Sequence, residues 1–127
     1  MRMSQVFIDD MRLYAYHGVM AQEQTVGAWF SLSLRVDCDI SRAAAEDEVK
    51  LTVSYADLAD IVSREMAVSS KLLEHVAARI AKAIFRECEG AKAVHLRLTK
   101  LNPPMGYQVA GAGVDCCFER EEMQGEQ

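Results

Sequence analysis

The stretch from Phe30 to Ile40 constrains this chain more than any other. Phe30, Leu32, Leu34, Val36, Cys38 and Ile40 alternate without a break with Ser31, Ser33, Arg35, Asp37 and Asp39. A period of two puts the apolar side chains on one face of an extended strand and the polar ones on the other. Such a strand belongs in an antiparallel sheet with one face covered and one face wet. The chain must therefore supply partner strands and an apolar layer to cover them.

It supplies both. Val6 to His17 reads as a strand of mixed phase: Phe7, Met11, Leu13 and Ala15 share a parity, but Asp9 interrupts it, so a bulge or register defect is expected. Gly18 to Gly27 reads as a loop, and Ser41 to Val49 as a helical turn and a loop. Ser54 followed by Asp57 resembles a capping box, opening a helix that runs to about Val68 with Tyr55, Leu58, Ile61, Val62 and Met66 on its apolar face. Ser69-Ser70 breaks that helix. A second runs from about Leu72 to Cys88, with Leu73, Val76, Ala77, Ile80 and Ile84 in one stripe and Gly90 as its stop. Val94, Leu96 and Leu98 alternate with His95, Arg97 and Thr99 in a third strand, and Lys100 takes its core-facing parity. Asn102-Pro103-Pro104 ends that strand, because proline has no N–H for the ladder. Ala112, Val114, Cys116 and Phe118 mark a fourth strand, and Glu119 to Gln127 reads as a charged, fraying tail.

The order strand, strand, helix, helix, strand, strand, with short loops inside each strand pair, predicts an α+β fold. It is a four-stranded antiparallel sheet with two helices on one face. The expected organisation is a single domain over residues 1–127, with a core of about 5–120 and a flexible tail at 121–127. An open sheet has two bare edges, so a homo-oligomer joined edge to edge is expected.

The chain's net charge of −5 argues against a nucleic-acid partner or an anionic membrane surface. No apolar run approaches the roughly 20 residues that span a bilayer, and the N-terminus leads straight into alternating residues, so a cytoplasmic protein is expected. Cys38, Cys88, Cys116 and Cys117 form no CxxC pair, which favours reduced thiols. His17, His75 and His95 show no metal-ligand spacing, so no metal site is expected.

Four polar groups stand out, each with two readings. Glu74 sits in the first turn of the long helix, where the helix dipole favours negative charge, and wheel arithmetic half turns it toward Ala81 and Phe85. It is either an ordinary helix-start acid or a carboxylate placed to accept paired N–H bonds from a flat heterocycle. Glu23 is either a surface acid or a loop residue with a task. Tyr55, in the first turn of its helix, is either packing or functional. Lys100, on core parity before two prolines, either snorkels to water or serves a cleft.

Taken together, Tyr16-His17-Gly18, Glu23 to Gly27, Ser54-Tyr55-Ala56-Asp57, Leu72-Leu73-Glu74-His75 and Thr99 to Pro104 occur in the order and spacing of one family. The chain resembles bacterial dihydroneopterin aldolases, enzymes of folate synthesis, from Val6 to Arg120. The resemblance implies the tunnelling fold, in which four subunits join sheet edges into a barrel and two rings stack into an octamer. It implies a pterin pocket between neighbouring subunits and no cofactor. Glu74 would hold the aminopyrimidine ring, with backbone from Leu73 and Val53. Tyr55 of the adjacent subunit would stack on the ring and assist proton transfer. Glu23 and Lys100 would surround the side chain and a catalytic water.

The segment Met105 to Ala110 departs from any fixed family pattern, and Tyr107 could supplement the pocket. Three other readings compete. A dihydroneopterin triphosphate 2′-epimerase should cluster Lys and Arg at the cleft mouth, and Arg12, Arg35, Arg42 and Lys50 suggest no such cluster in sequence. A zinc-dependent pterin synthase would need metal ligands. A non-catalytic ring that binds pterin or purine would need Glu74 but neither Lys100 nor Glu23.

Overall fold

The molecule is described here by a computed structural model covering residues 3–124. Its elements are β1 (Met3–Ala15), α1 (Ala21–Val26), β2 (Ala28–Asp39), α2 (Ser41–Glu46), a 3-10 turn (Val49–Leu51), α3 (Tyr55–Met66), α4 (Leu73–Glu87), β3 (Ala93–Leu101), β4 (Gly111–Glu119) and α5 (Arg120–Gln124). The four strands form one sheet in the order β1-β2-β3-β4, every neighbouring pair antiparallel. The α+β class and the sheet are as the alternation in β2 requires.

That alternation is also the core. Phe30, Leu32, Leu34, Val36 and Cys38 are buried, and so are Leu58, Ile61, Val62 and Met66 of α3 and Val76, Ala77, Ile80 and Ile84 of α4. Each large side chain removed from water in this layer contributes roughly 1.5–3 kcal/mol. The Ser54 hydroxyl accepts from the Asp57 N–H at 3.4 Å, so the predicted cap starts α3.

Four expectations need correction. The β1 pairing shifts between Ile8 and Met11, so Asp9 and Asp10 together face Ser33. Asp10 takes the left-handed conformation (φ 54) and its N–H donates to the Ser33 hydroxyl at 3.0 Å. The extra residue switches the inward parity, so Val6 and Ile8 face the core before the bulge and Met11 and Leu13 after it. Phe7 is therefore 61% exposed on the opposite face rather than in phase with Met11. Second, the expected loop of residues 18–27 contains helix α1, too short to show a helical period.

Third, Tyr55 is not part of the buried face of α3: it is 69% exposed. Fourth, the chain after Glu119 continues into α5. The Arg120 guanidinium donates to the carbonyls of Ala91 (2.7 Å) and Cys88 (2.8 Å) and lies 5.0 Å over the Phe85 ring. It thus satisfies carbonyls just beyond the C-terminus of α4, and Met123 is buried. Residues 125–127 of the expected tail lie outside the described residues.

Candidate active site

Lys100 ends the inward-facing row of β3, directly opposite Phe30 of β2. Its ammonium stands 5.8 Å from the centre of the Phe30 ring. The side chain does not snorkel away. It is 12% exposed and makes an ion pair with Glu23, itself 16% exposed. A charge this sheltered needs a hydrogen-bonded partner, and Glu23 supplies it.

Helix α1 presents Glu23 to Lys100. The other Glu23 oxygen accepts the Met20 N–H at 3.2 Å, capping α1 while the first oxygen holds Lys100. Gly18 makes room for this arrangement, since a Cβ at that position would lie 2.5 Å from the Glu23 carboxyl carbon. The bond from Lys100 holds the Glu23 carboxyl below its usual range; burial opposes the shift and the Met20 N–H assists it.

Leu73 and Glu74 form the first turn of α4. Leu73 packs against the core, whereas Glu74 is exposed rather than half turned into apolar surface. Burial raises the Cys116 thiol pKa most, and the charges of Asp115 and then Glu74 add to the shift, so Glu74 lies within electrostatic reach of β4. Among the described residues its carboxylate has no hydrogen-bond partner, so both oxygens remain able to accept. Ser70, just before α4, ties this turn to the Glu23–Lys100 corner. Its N–H donates to His17 Nδ1 at 3.0 Å and its carbonyl accepts the Gly18 N–H at 3.0 Å.

Val53 and Tyr55 are elsewhere. Val53 lines a cleft with Cys38 and Asp39, at the far end of β2 from Phe30. At about 3.3 Å per residue, the span from Phe30 to Cys38 is roughly 25 Å, far more than a two-ring heterocycle covers. Helices α3 and α4 run antiparallel, with Asp57 near Cys88, so Tyr55 lies at the end of α4 opposite Glu74. One chain therefore brings together Glu23, Lys100 and the Leu73–Glu74 turn and leaves Val53 and Tyr55 apart from them.

The Val53 cleft also corrects the charge reading. Arg42 and Lys50, with Lys92, do line one cleft, but Asp39, Asp57, Glu87 and Glu89 line it too. Four acids against three bases give it no excess positive charge for a triphosphate. Among the described residues no three His, Cys, Asp or Glu side chains are grouped where they could hold a metal ion. His95 faces away from Lys100 and pairs with Asp37 at 3.1 Å. Tyr107 is exposed in the loop after Pro104. No helix of the described residues is long and apolar enough to cross a membrane.

The sequence marks His17 as part of the Tyr16-His17-Gly18 motif and weighs it as a metal ligand, but assigns it no place in the site. The missed signal is its phase: it follows Leu13 and Ala15 in the inward row of β1, and it is buried. Burial, Arg79 and Lys100 lower its pKa to about 4, and its Nε2 is buried with no hydrogen-bond partner among the described residues.

Comparison with known proteins identifies the family. The family model described as FolB: Dihydroneopterin aldolase matches residues 6–117. A dihydroneopterin aldolase of Staphylococcus epidermidis is 36% identical over 117 residues, covering 91% of this chain and 97% of the relative. One from Streptococcus pyogenes is 30% identical over 115 residues, covering 89% and 96%. The structure of the E. coli dihydroneopterin aldolase in complex with neopterin superposes with a TM-score of 0.82 at 27% identity, covering 91% of this chain and 98% of that one. This chain belongs to the dihydroneopterin aldolase family.

Proposed function

We propose that this chain performs its family's reaction in a site completed by a second copy of itself. The activity is that of a dihydroneopterin aldolase, a cofactor-independent aldehyde-lyase of folate biosynthesis. It splits 7,8-dihydroneopterin into 6-hydroxymethyl-7,8-dihydropterin and glycolaldehyde. The 2′-hydroxyl loses its proton, the bond between C1′ and C2′ breaks, and glycolaldehyde leaves. The electron pair passes to C1′ and into the adjacent ring C=N. Protonation at C1′ then gives the product. That imine is an internal electron sink, so the protein need supply only positioning and proton transfers.

Glu74 anchors the pterin through its amine and ring N–H, helped by the backbone of Leu73. Lys100, acting through a water, helps remove the 2′-hydroxyl proton and supplies positive charge near the ring nitrogen that gains electrons. Glu23 orients the diol. Tyr55 and the Val53 backbone come from a neighbouring copy, Tyr55 stacking on the ring and helping to protonate the intermediate. The bare edges of β1 and β4, each paired on one side only, suit closure of four copies into a barrel. Two such rings then make an octamer of cytoplasmic enzyme. The E. coli relative's complex with neopterin supports a pterin as the ligand.

The observation that carries these roles is the sheltered Lys100–Glu23 pair beside the turn that bears Glu74. A binding-only ring would have no use for a desolvated ion pair there. The test is incubation of the purified protein with 7,8-dihydroneopterin, without added metal, followed by chromatography of the pterins. Appearance of 6-hydroxymethyl-7,8-dihydropterin with glycolaldehyde is expected. A product that is only the 2′ epimer, or binding with no conversion, would contradict the assigned roles.

A further inference from the structure

We propose that His17 is a positioning residue for this reaction: its Nδ1 pins the turn that carries Glu74 to the segment that carries Glu23. The proposal rests on the roles given above to Glu74, Glu23 and Lys100.

Three hydrogen bonds join residues 16–18 to residues 69–70. The Ser69 hydroxyl donates to the Tyr16 carbonyl at 2.5 Å, the Ser70 N–H donates to His17 Nδ1 at 3.0 Å, and the Gly18 N–H donates to the Ser70 carbonyl at 3.0 Å. The two segments are 53 residues apart in sequence. One leads into α1 and Glu23, the other into α4 and Glu74. The histidine ring also sits edge to face on Phe30, centroids 5.4 Å apart, and Phe30 is the register partner of Lys100. One side chain thus touches the supports of all three candidate groups.

The chemistry explains why a histidine serves here. Nδ1 accepts the Ser70 N–H only while it is unprotonated, so the ring is the Nε2–H tautomer. Burial and the charges of Arg79 and Lys100 keep it neutral well below pH 7. An apolar residue of similar size would fill the space but leave the buried Ser70 N–H without an acceptor. The Ser70 hydroxyl is itself committed: it accepts from Arg79 at 3.0 Å and shares a hydrogen bond of 2.8 Å with His75 Nδ1. The turn is therefore held from both sides, and His17 is the hold on the Glu23 side. A pterin gripped by Glu74 is delivered to Lys100 at a distance this link sets.

The test compares His17→Leu, which removes the acceptor, His17→Asn, which places an oxygen near the position of Nδ1, and Ser69→Ala, which cuts only the exposed bond to Tyr16. Turnover of 7,8-dihydroneopterin and fluorescence titration with neopterin are measured on protein shown to be folded by circular dichroism. In His17→Leu, kcat is expected to fall about 100-fold, the scale of a misplacement near 1 Å, while neopterin affinity stays close to wild type. His17→Asn should recover most of the lost kcat. Ser69→Ala should lose turnover in the same direction by a smaller factor, which keeps the test open if His17→Leu does not fold. A wild-type kcat in Ser69→Ala together with an unrescued His17→Asn would overturn the proposal. So would a loss of kcat that merely tracks the folded fraction. Absent turnover in the wild type would overturn the functional reading itself, and is distinguished by that control.

Discussion

The two ends of β2 hold contrasting halves of the proposed site. At the Phe30 end, Lys100 and Glu23 are sheltered and bonded to each other, and a hydrogen-bonded link fixes the start of α4 beside them. At the Cys38 end, the Val53 side chain is buried, but Tyr55 stands out from the first turn of α3. The first half is preorganised inside one chain. The second offers a rigid backbone and an aromatic ring directed away from the chain's own core. Side chains that act on charge have to be held in place within the fold, whereas a stacking ring can be delivered by a neighbour.

The sharpest way to break this contrast is at its paired end. Lys100→Ala should keep neopterin binding and lose turnover by about 10²–10⁴-fold, the range for a positioned proton-transfer group. Steady-state assay with a parallel titration checks this, and normal turnover would remove Lys100 from the mechanism. The next effect is at the α4 turn. Glu74→Gln leaves the shape but discharges the acceptor, so neopterin binding should weaken by roughly 1.5–3 kcal/mol, the worth of a charged hydrogen bond. Unchanged affinity by calorimetry would assign Glu74 to the helix start alone.

The smallest effect is a pH dependence of stability. The Glu23 carboxyl, held below its usual value of 4.5 by Lys100, contributes stability that is fully present above that value. It is lost as pH falls through the lowered folded-state pKa. The stability gap between wild type and Lys100→Met should therefore be full near neutrality and close in acid. Urea unfolding at several pH values measures it; a gap independent of pH would mean that the ion pair does not set the carboxyl's pKa.

Much of this was legible in the residue order because burial writes a period. The inner row of β2, the stripe of α4 and the core parity of Lys100 all follow from periods of two or 3.6, and the cap at Ser54 follows from its spacing to Asp57. What escaped has no period. The second residue of the bulge at Asp9-Asp10 reverses parity without changing composition, so simple alternation puts Phe7 on the wrong face. Helix α1 has too few residues to show a stripe, and the Glu23 cap depends on Gly18 leaving space. Tyr55 looked apolar by spacing, yet exposure in one chain depends on what lies beyond the chain. Arg120 reaches carbonyls near the end of α4 that only the folded arrangement brings close.

The most direct measurement concerns the division of the site between copies. Tyr55→Ala and Lys100→Ala subunits are prepared separately, shown to be inactive, then dissociated together and reassembled. With random mixing in equal amounts, about a quarter of the shared sites combine an intact Lys100 from one copy with an intact Tyr55 from its neighbour. Recovery of dihydroneopterin cleavage toward that fraction is the predicted result. A reassembled mixture as inactive as its parents would contradict a site built from two copies of this chain.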